Sequence, residues 1–329
     1  MRAVVITGPH QVEIADLPDP RPKPDEIILA VAAAGICGTD LHILHGEYAA
    51  SLPIVPGHEF AGSVVEVGSD VTDFRIGDRV AADPNLPCWR CRYCREGRVN
   101  LCENYAAVGV TRDGASAEYV AVPAAVCVRL AEGTDLVAAA LAEPLACALH
   151  AFDLLGPQTG RSMLIYGSGT MGLMALRLAQ LAGLDSVDLV DPQADKLIAA
   201  RELGCSRTAP SAEAIAVEGG WDVVVDASGA AAAIQDGLRR VRRGGTFLQF
   251  GVSSPDTVVE ISPFRIYDDE LRIIGSVCPA DCFPRAVHLV ESGDMPSEVL
   301  VSDRLPIAEY EVALQRFAAG ASRKIMIVP

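Results

Sequence analysis

Short apolar or alternating runs carry the first part of the chain: Arg2–Thr7, Glu26–Ala34, Gly62–Val67, Arg79–Ala82 and Ala117–Val122. Gly, Pro, Asp and Asn separate them, which predicts many short strands and turns, the pattern of a barrel or sandwich. The rhythm changes near Glu143. Met163–Tyr166 is an apolar run ending in Gly167, and Leu173, Leu176 and Leu181 then follow a helical period. Beyond it, apolar runs alternate with helical ones: Val187–Val190, Lys196–Leu203, Trp221–Val225, Ala230–Val241, Thr246–Phe250 and Leu271–Ile274. Strand-helix alternation at this spacing predicts a doubly wound parallel sheet. The rhythm is less clear from Pro284 to Pro329, where a helix over Arg285–Ser292 and a strand over Lys324–Val328 are expected.

The fold class is therefore α/β, with a β-rich domain over 1–147 and 280–329 and a parallel-sheet domain over 148–279. Pro18–Pro24 reads as a turn between strands rather than a linker. The longest apolar run, Ile27–Gly38, is too short to span a bilayer. The N-terminal run reads as a strand rather than a leader, so the expectation is a soluble, cytoplasmic protein.

The chain has 329 residues, half of them hydrophobic, and a net charge of −16. Such an acidic balance argues against nucleic acid or an anionic membrane as partner. A phosphate-bearing small molecule is not excluded, because backbone N–H groups can hold it locally. Of the ten Cys, four are clustered. Without a secretory signal, metal ligands, nucleophiles and core residues are better readings of them than disulfides.

Gly167-Ser168-Gly169-Thr170-Met171-Gly172 is a G-x-G-x-x-G run that follows a predicted strand and opens a predicted helix. Gly167 permits the tight turn, Gly169 lets backbone approach a pyrophosphate, and Gly172 lets helix and strand pack closely. Asp191, at the end of the next strand, can accept hydrogen bonds from a ribose diol and repel a 2′-phosphate. NAD is thus favoured over NADP, with Lys196 and Arg201 also placed to bear on this pocket. The plain alternative is a strand-helix turn with an Asp cap.

Cys88, Cys91, Cys94 and Cys102 lie in an Arg-rich lobe over roughly residues 84–104, at a spacing that can close a tetrahedron around a structural Zn²⁺. An iron–sulfur site or disulfides are the alternatives. Farther apart stand Cys37-Gly38-Thr39-Asp40-Leu41-His42, Gly57-His58-Glu59 and Ala142-Glu143-Pro144. Each is bland alone. Together they offer Cys, His and Glu ligands from distant parts of the chain, which suits a catalytic Zn²⁺ with an open position.

In this order, these motifs resemble the zinc-containing medium-chain dehydrogenase/reductase family over essentially the whole chain. The resemblance implies a GroES-like catalytic domain and a Rossmann cofactor domain. Cys37 and His58 look like zinc ligands, and Glu59 and Glu143 like two carboxylates that alternate as a ligand or hold the zinc-bound water. Thr39 looks like the first proton acceptor, and His42 like the outer end of a relay that passes through the nicotinamide ribose. Asp40 looks placed to orient His58. Glu143 in place of a third Cys, Gly38 after Cys37, and Ser262 to Tyr267 resemble polyol and cyclitol dehydrogenases. Cys278-Pro279 departs from the Arg-Tyr pair of mammalian-type sorbitol dehydrogenases.

The resemblance implies hydride transfer between NAD and a secondary alcohol or ketone, most of all a sugar alcohol, cyclitol or related polyol. It also implies one catalytic and one structural zinc per chain and a homodimer or homotetramer. L-threonine or a simple secondary alcohol is the alternative substrate, and a non-catalytic nucleotide-binding protein the remote alternative.

Overall fold

The computed structural model describes residues 1–48 and 50–329. The chain divides into two compact units, one of Met1–Ala146 with Ala280–Pro329, the other of Cys147–Pro279.

The first unit is built on a seven-stranded sheet. Its order runs Val301–Pro306, Lys324–Val328, Glu26–Gly35, Glu59–Val67, Arg79–Ala82 and Cys127–Arg129, with Tyr119–Pro123 also paired to Glu26–Gly35. The pairs are antiparallel except the first, which is parallel. The long strand Glu26–Gly35 is nearly all buried, so it reads as a continuous apolar run rather than an alternating one. Ile27, Leu29, Phe60, Val64, Val80 and Val122 join in one core around it. A second core sets Ile36, Ile307, Tyr310, Leu314, Ile325 and Ile327 against Val4.

The C-terminal segment thus folds back onto the first unit. It does so through three elements not anticipated from the sequence: the helix Ser297–Leu300, the strand Val301–Pro306 and the helix Tyr310–Ala318. The N-terminal strand Arg2–Gly8 likewise forms a hairpin with Gln11–Asp16, whose polar, largely exposed face hides it from a hydrophobic count.

The second unit is an all-parallel sheet in the order Arg207–Ala209, Ser186–Val190, Ser162–Tyr166, Trp221–Asp226, Val241–Gln249, Arg272–Gly275. The chain runs outward from Ser162–Tyr166 in both directions, so the strand order reverses beside it. In open α/β sheets that is where ligands bind, beyond the strand C-termini.

Two boundaries differ from the expected ones. The segment expected as a helix over Lys196–Leu203 opens as a 3₁₀ turn, Ala194–Lys196, before the helix Leu197–Glu202. The strand expected at Thr246–Phe250 begins at Val241, directly after the helix Ala231–Arg240. Pairing of Trp221 with Val241 and of Val223 with Thr246 loops out the intervening residues, and Gly244 takes a φ of 70° there. The bulge interrupts the apolar run and hides the strand's start.

Candidate active site

The segment after Cys37 is a helix over Gly38–His45. Cys37 is its N-cap, in extended conformation, and its N–H donates to Asp40 Oδ2 at 2.9 Å. The cap fixes where the thiol stands as the chain leaves the buried strand. Thr39 and His42 lie one turn apart, on one side of the helix. Thr39 Oγ1 is 3.9 Å from Cys37 Sγ.

His58 ends the turn before the next strand and Glu59 opens that strand. Gly57 precedes them with φ at 94°, and a Cβ there would come within 2.7 Å of the Ser116 backbone nitrogen. Only glycine fits this turn. His58 and Glu59 are buried, as is Glu143 in the first turn of the helix Ala142–Leu155, where Pro144 is tolerated.

Cys37, His58 and Glu59 each offer a ligand atom, all within 4.8 Å of one another. Burial opposes a charge on His58, but the hydrogen bond to Cys37 and the charges of Cys37, Asp40 and Glu143 outweigh it and push the imidazole up to about 10. That pull for positive charge is what a divalent cation would satisfy, and sulfur, nitrogen and carboxylate donors suit zinc. The residues therefore fit the metal. Asp40 Oδ1 stands 3.9 Å from His58 Nδ1, beyond hydrogen-bond reach, and neither atom has a hydrogen-bond partner. Burial raises the Asp40 carboxyl, with His58 opposing.

One residue of this cluster escapes sequence reasoning. Lys324 donates from Nζ to both oxygens of Glu59, at 2.7 and 2.6 Å, and to the Ile36 carbonyl at 2.9 Å. Burial lowers its pKa, but Glu59, Cys37 and Glu143 more than offset this and hold it raised. Its signal was a cation opening a wholly apolar strand, Lys-Ile-Met-Ile-Val, in a chain with only three lysines. A buried charge needs a partner.

Cys88, Cys91, Cys94 and Cys102 bring four sulfurs within 4.8 Å of one another, none of them in a disulfide. Their lobe holds a one-turn helix, Arg92–Arg95, and a 3₁₀ turn, Val99–Leu101. The Arg90 backbone N–H on Cys88 sulfur brings that thiol down to about 6, and the Cys94 N–H lowers Cys91. N–H groups aimed at sulfur favour thiolates, the form that binds metal. Among the described residues the cluster holds these four sulfurs and no fifth ligand, the closed set that a structural zinc requires.

In the second unit, Gly167 takes a φ of 101° at the end of its strand, and the helix Thr170–Leu181 follows. A Cβ on Gly172 would meet the Gly167 carbonyl at 1.9 Å, whereas one on Gly169 would meet nothing within 4 Å. Gly172 thus serves packing, and the space over Gly169 is open at a helix N-terminus. Thr170 Oγ1 is buried there without a hydrogen-bond partner. These features fit a pyrophosphate. Met171 lies in the same first turn. Asp191 Oδ2 accepts from the Ser168 N–H and Oδ1 from the Gln193 N–H, both at 2.9 Å, while Ser168 Oγ donates to the Lys196 carbonyl. The acid and the glycine loop are thereby one locked unit.

Comparison with known proteins agrees with this architecture. Residues 23–132 match the alcohol dehydrogenase GroES-like domain, and residues 170–292 the zinc-binding dehydrogenase domain. D-arabinitol dehydrogenase 1 of Uromyces fabae is 36% identical over all of this chain and 97% of its own. D-altritol 5-dehydrogenase of Agrobacterium fabrum is 36% identical over 94% of each chain. A structure from Sinorhizobium meliloti 1021, described as a zinc-binding dehydrogenase bound to NADP, superposes with a TM-score of 0.97 at 38% identity, over 100% of this chain and 99% of that one. The chain belongs to the zinc-binding medium-chain dehydrogenase family.

Proposed function

We propose that this protein oxidises one secondary hydroxyl of a sugar alcohol, cyclitol or related polyol with NAD, and reduces the ketone in reverse. The carrying observation is the buried Cys37–His58–Glu59 cluster and its pull for positive charge. The relatives named for arabinitol and altritol support the substrate class.

Cys37 and His58 would hold a catalytic zinc, with Glu59 and Glu143 alternating as its carboxylate partner. Cys88, Cys91, Cys94 and Cys102 would hold a second, structural zinc. Bound in these places, zinc supplies a Lewis acid that acidifies the substrate hydroxyl, and the dinucleotide supplies a hydride acceptor. The rest falls to the chain. Thr39 takes the hydroxyl proton at Oγ1 as it gives up its own, and His42 releases one proton to water. Lys324 keeps Glu59 aligned and limits the local negative charge.

Gly167, Ser168, Gly169, Thr170, Met171 and Gly172 would cradle the pyrophosphate, with Asp191 and Lys196 at the adenosine end. The Asp191 carboxylate favours NAD, since a 2′-phosphate beside it is repelled. The NADP bound to the Sinorhizobium meliloti protein makes this preference the first thing to measure.

The reading includes a cytoplasmic homo-oligomer. Thiols clustered for metal suit a reducing compartment. Arg272–Gly275 is an edge strand, and the surrounding sequence exposes Val258, Phe264, Tyr267, Ile273 and Val277. Exposed edges and apolar side chains favour self-association. No described helix is long and apolar enough to cross a membrane.

The test is reduced-cofactor formation by purified protein with NAD or NADP across sugar alcohols, inositols, aldoses, L-threonine and simple secondary alcohols. Turnover confined to polyhydroxylated compounds supports the reading. Turnover only with threonine or simple alcohols overturns the substrate class and leaves the chemistry.

A further inference from the structure

The helix that carries Cys37, Thr39 and His42 ends abruptly. Gly46 takes the left-handed conformation at its C-cap, with φ at 74°, and its N–H bonds to the His42 and Ile43 carbonyls. The Glu47 and Tyr48 N–H groups then turn back onto the same His42 carbonyl, at 2.9 and 3.2 Å. This reversal sets the Glu47 side chain against the ring one turn back. Glu47 Oε2 lies 2.6 Å from His42 Nδ1. The pair is not a chance meeting of two long surface side chains, because the backbone that joins them is itself hydrogen-bonded into a cap.

The chemistry of the contact selects a tautomer. The hydrogen bond from His42 holds the Glu47 carboxyl below its ordinary value, with His45 and His10 contributing more weakly. An ionised carboxylate only accepts. Whenever the His42 ring is neutral, Nδ1 therefore carries its proton and Nε2 keeps the lone pair. His45 and His10 are the other titratable groups beside Glu47, and their rings lie 5.2 Å apart. They bear on the carboxylate without taking the Oε2 contact.

We propose that Glu47 is a positioning residue for the proton relay: it fixes the Nδ1–H tautomer of His42, so that Nε2 is the atom that receives the proton leaving the active site. The inference rests on the dehydrogenase reading above. Oxidising a secondary alcohol sends two electrons away as hydride to the dinucleotide and leaves one proton. His42 binds that proton at Nε2 and gives it to water, so the imidazole ends as it began. With the opposite tautomer, Nε2 would already bear hydrogen and could not accept. The carboxylate also balances the imidazolium formed in passing, as does the helix C-terminus on which His42 sits.

The test pairs a spectroscopic readout with kinetics. Long-range ¹H–¹⁵N correlation of labelled protein reports the tautomer of each neutral histidine, and His42→Gln identifies the signals of His42. In the native protein His42 is expected as Nδ1–H. Glu47→Ala should move it toward Nε2–H, whereas Glu47→Gln, whose amide oxygen still accepts, should keep it. In polyol oxidation, Glu47→Ala should lower kcat about tenfold and leave KM for NAD and polyol within about twofold. Glu47→Gln should recover most of the loss. Adding Glu47→Ala to His42→Gln should cost nothing further, since the two act as one unit.

Native protein that turns over while Glu47→Ala matches it in tautomer and kcat overturns the role of Glu47 alone. Native protein that shows the Nδ1–H tautomer but oxidises no alcohol overturns the dehydrogenase reading, and the relay with it.

Discussion

Lys324 and Glu59 stand 265 residues apart in sequence and form a buried ion pair in which one ammonium spans both carboxylate oxygens. The sheet brings them together. The strand Glu26–Gly35 has Glu59 opposite Gly35 on one side and Met326 opposite Gly35 on the other. The two charges therefore meet across its end, where the Ile36 carbonyl accepts a further hydrogen bond from Lys324 Nζ. Lys324→Met removes the ammonium paired with Glu59 and strands a carboxylate beside Cys37. The expected cost is about 3–5 kcal/mol of stability, the usual result of breaking a buried pair from one side. Denaturant unfolding measures it, and Glu59→Gln in the same background should recover part of the loss. Equal midpoints for native protein and Lys324→Met would show that the pair does not stabilise the fold.

Gly35 is what lets this pair form. A Cβ there would stand 2.1 Å from Glu59 Oε2, so the carboxylate lies over bare backbone. Gly35→Ala must push Glu59 off Lys324 or displace the strand. We expect a destabilisation of about 1–3 kcal/mol, typical of overpacking, together with weaker zinc retention under chelator. Gly38→Ala is the control on the same segment, since a Cβ at Gly38 meets nothing within 4 Å. If both variants keep zinc equally, Glu59 does not depend on its placement over Gly35.

The contrast between what is legible and what is hidden follows sequence distance. The glycine loop, its strand and Asp191 are readable because turn, helix start and strand end are consecutive and each uses residues chosen for local geometry. The four-thiol lobe is readable for the same reason. The helix Tyr310–Ala318 is not anticipated, although Tyr310, Ala313, Leu314 and Phe317 recur at helical spacing and pack in one core. The strand Gln11–Asp16 is not, because a solvated hairpin arm has no apolar signature. The Lys324–Glu59 pair is not either, because register between distant strands sets it and no local pattern encodes that register. Glu47 belongs to no motif, and the Gly46 cap is what places it on His42.

The two cysteine sets should fail differently. Cys37→Ser removes a donor from the buried cluster, so turnover should disappear while dinucleotide binding, followed by fluorescence or calorimetry, survives. Cys94→Ser opens the closed sulfur set. It should lower zinc content from two ions per chain to one and reduce thermal stability, with residual turnover in whatever protein stays folded. Elemental analysis with unfolding curves separates them. Normal turnover in Cys37→Ser would sink the zinc assignment, and so would full zinc content in Cys94→Ser.

Acid stability of the second unit should depend on Asp222. Burial raises this carboxyl, but the Ser162 N–H and hydroxyl, at 3.0 and 2.7 Å, and Arg242 outweigh it and hold it below the ordinary 3.8. A carboxyl lowered in the folded state contributes fully above its unfolded value, and the contribution is lost as pH falls through the folded one. Native protein should thus lose stability below about pH 4 more steeply than Asp222→Asn, although it is the more stable of the two at neutral pH. Parallel pH dependences for the two proteins would remove Asp222 from the account.

Cofactor preference should turn on Asp191. Its carboxylate is buried and tied to the Ser168 and Gln193 N–H groups, so it is held rigidly at the strand end rather than free to swing aside. A 2′-phosphate placed there meets a fixed negative charge, and a ribose diol meets a fixed acceptor. Asp191→Ser should cost NAD the worth of charged hydrogen bonds, about 1.5–3 kcal/mol or ten- to a hundredfold in kcat/KM. It should leave NADP level or improved, with Lys196 and Arg201 then the nearest cations in sequence. Because Asp191 also holds the glycine loop, both cofactors will weaken if the loop loosens, and the ratio of their kcat/KM values is the quantity to compare. A ratio unchanged by Asp191→Ser would move the discrimination elsewhere on the second unit. A native protein that already prefers NADP would mean that this carboxylate serves the loop and not the choice of cofactor.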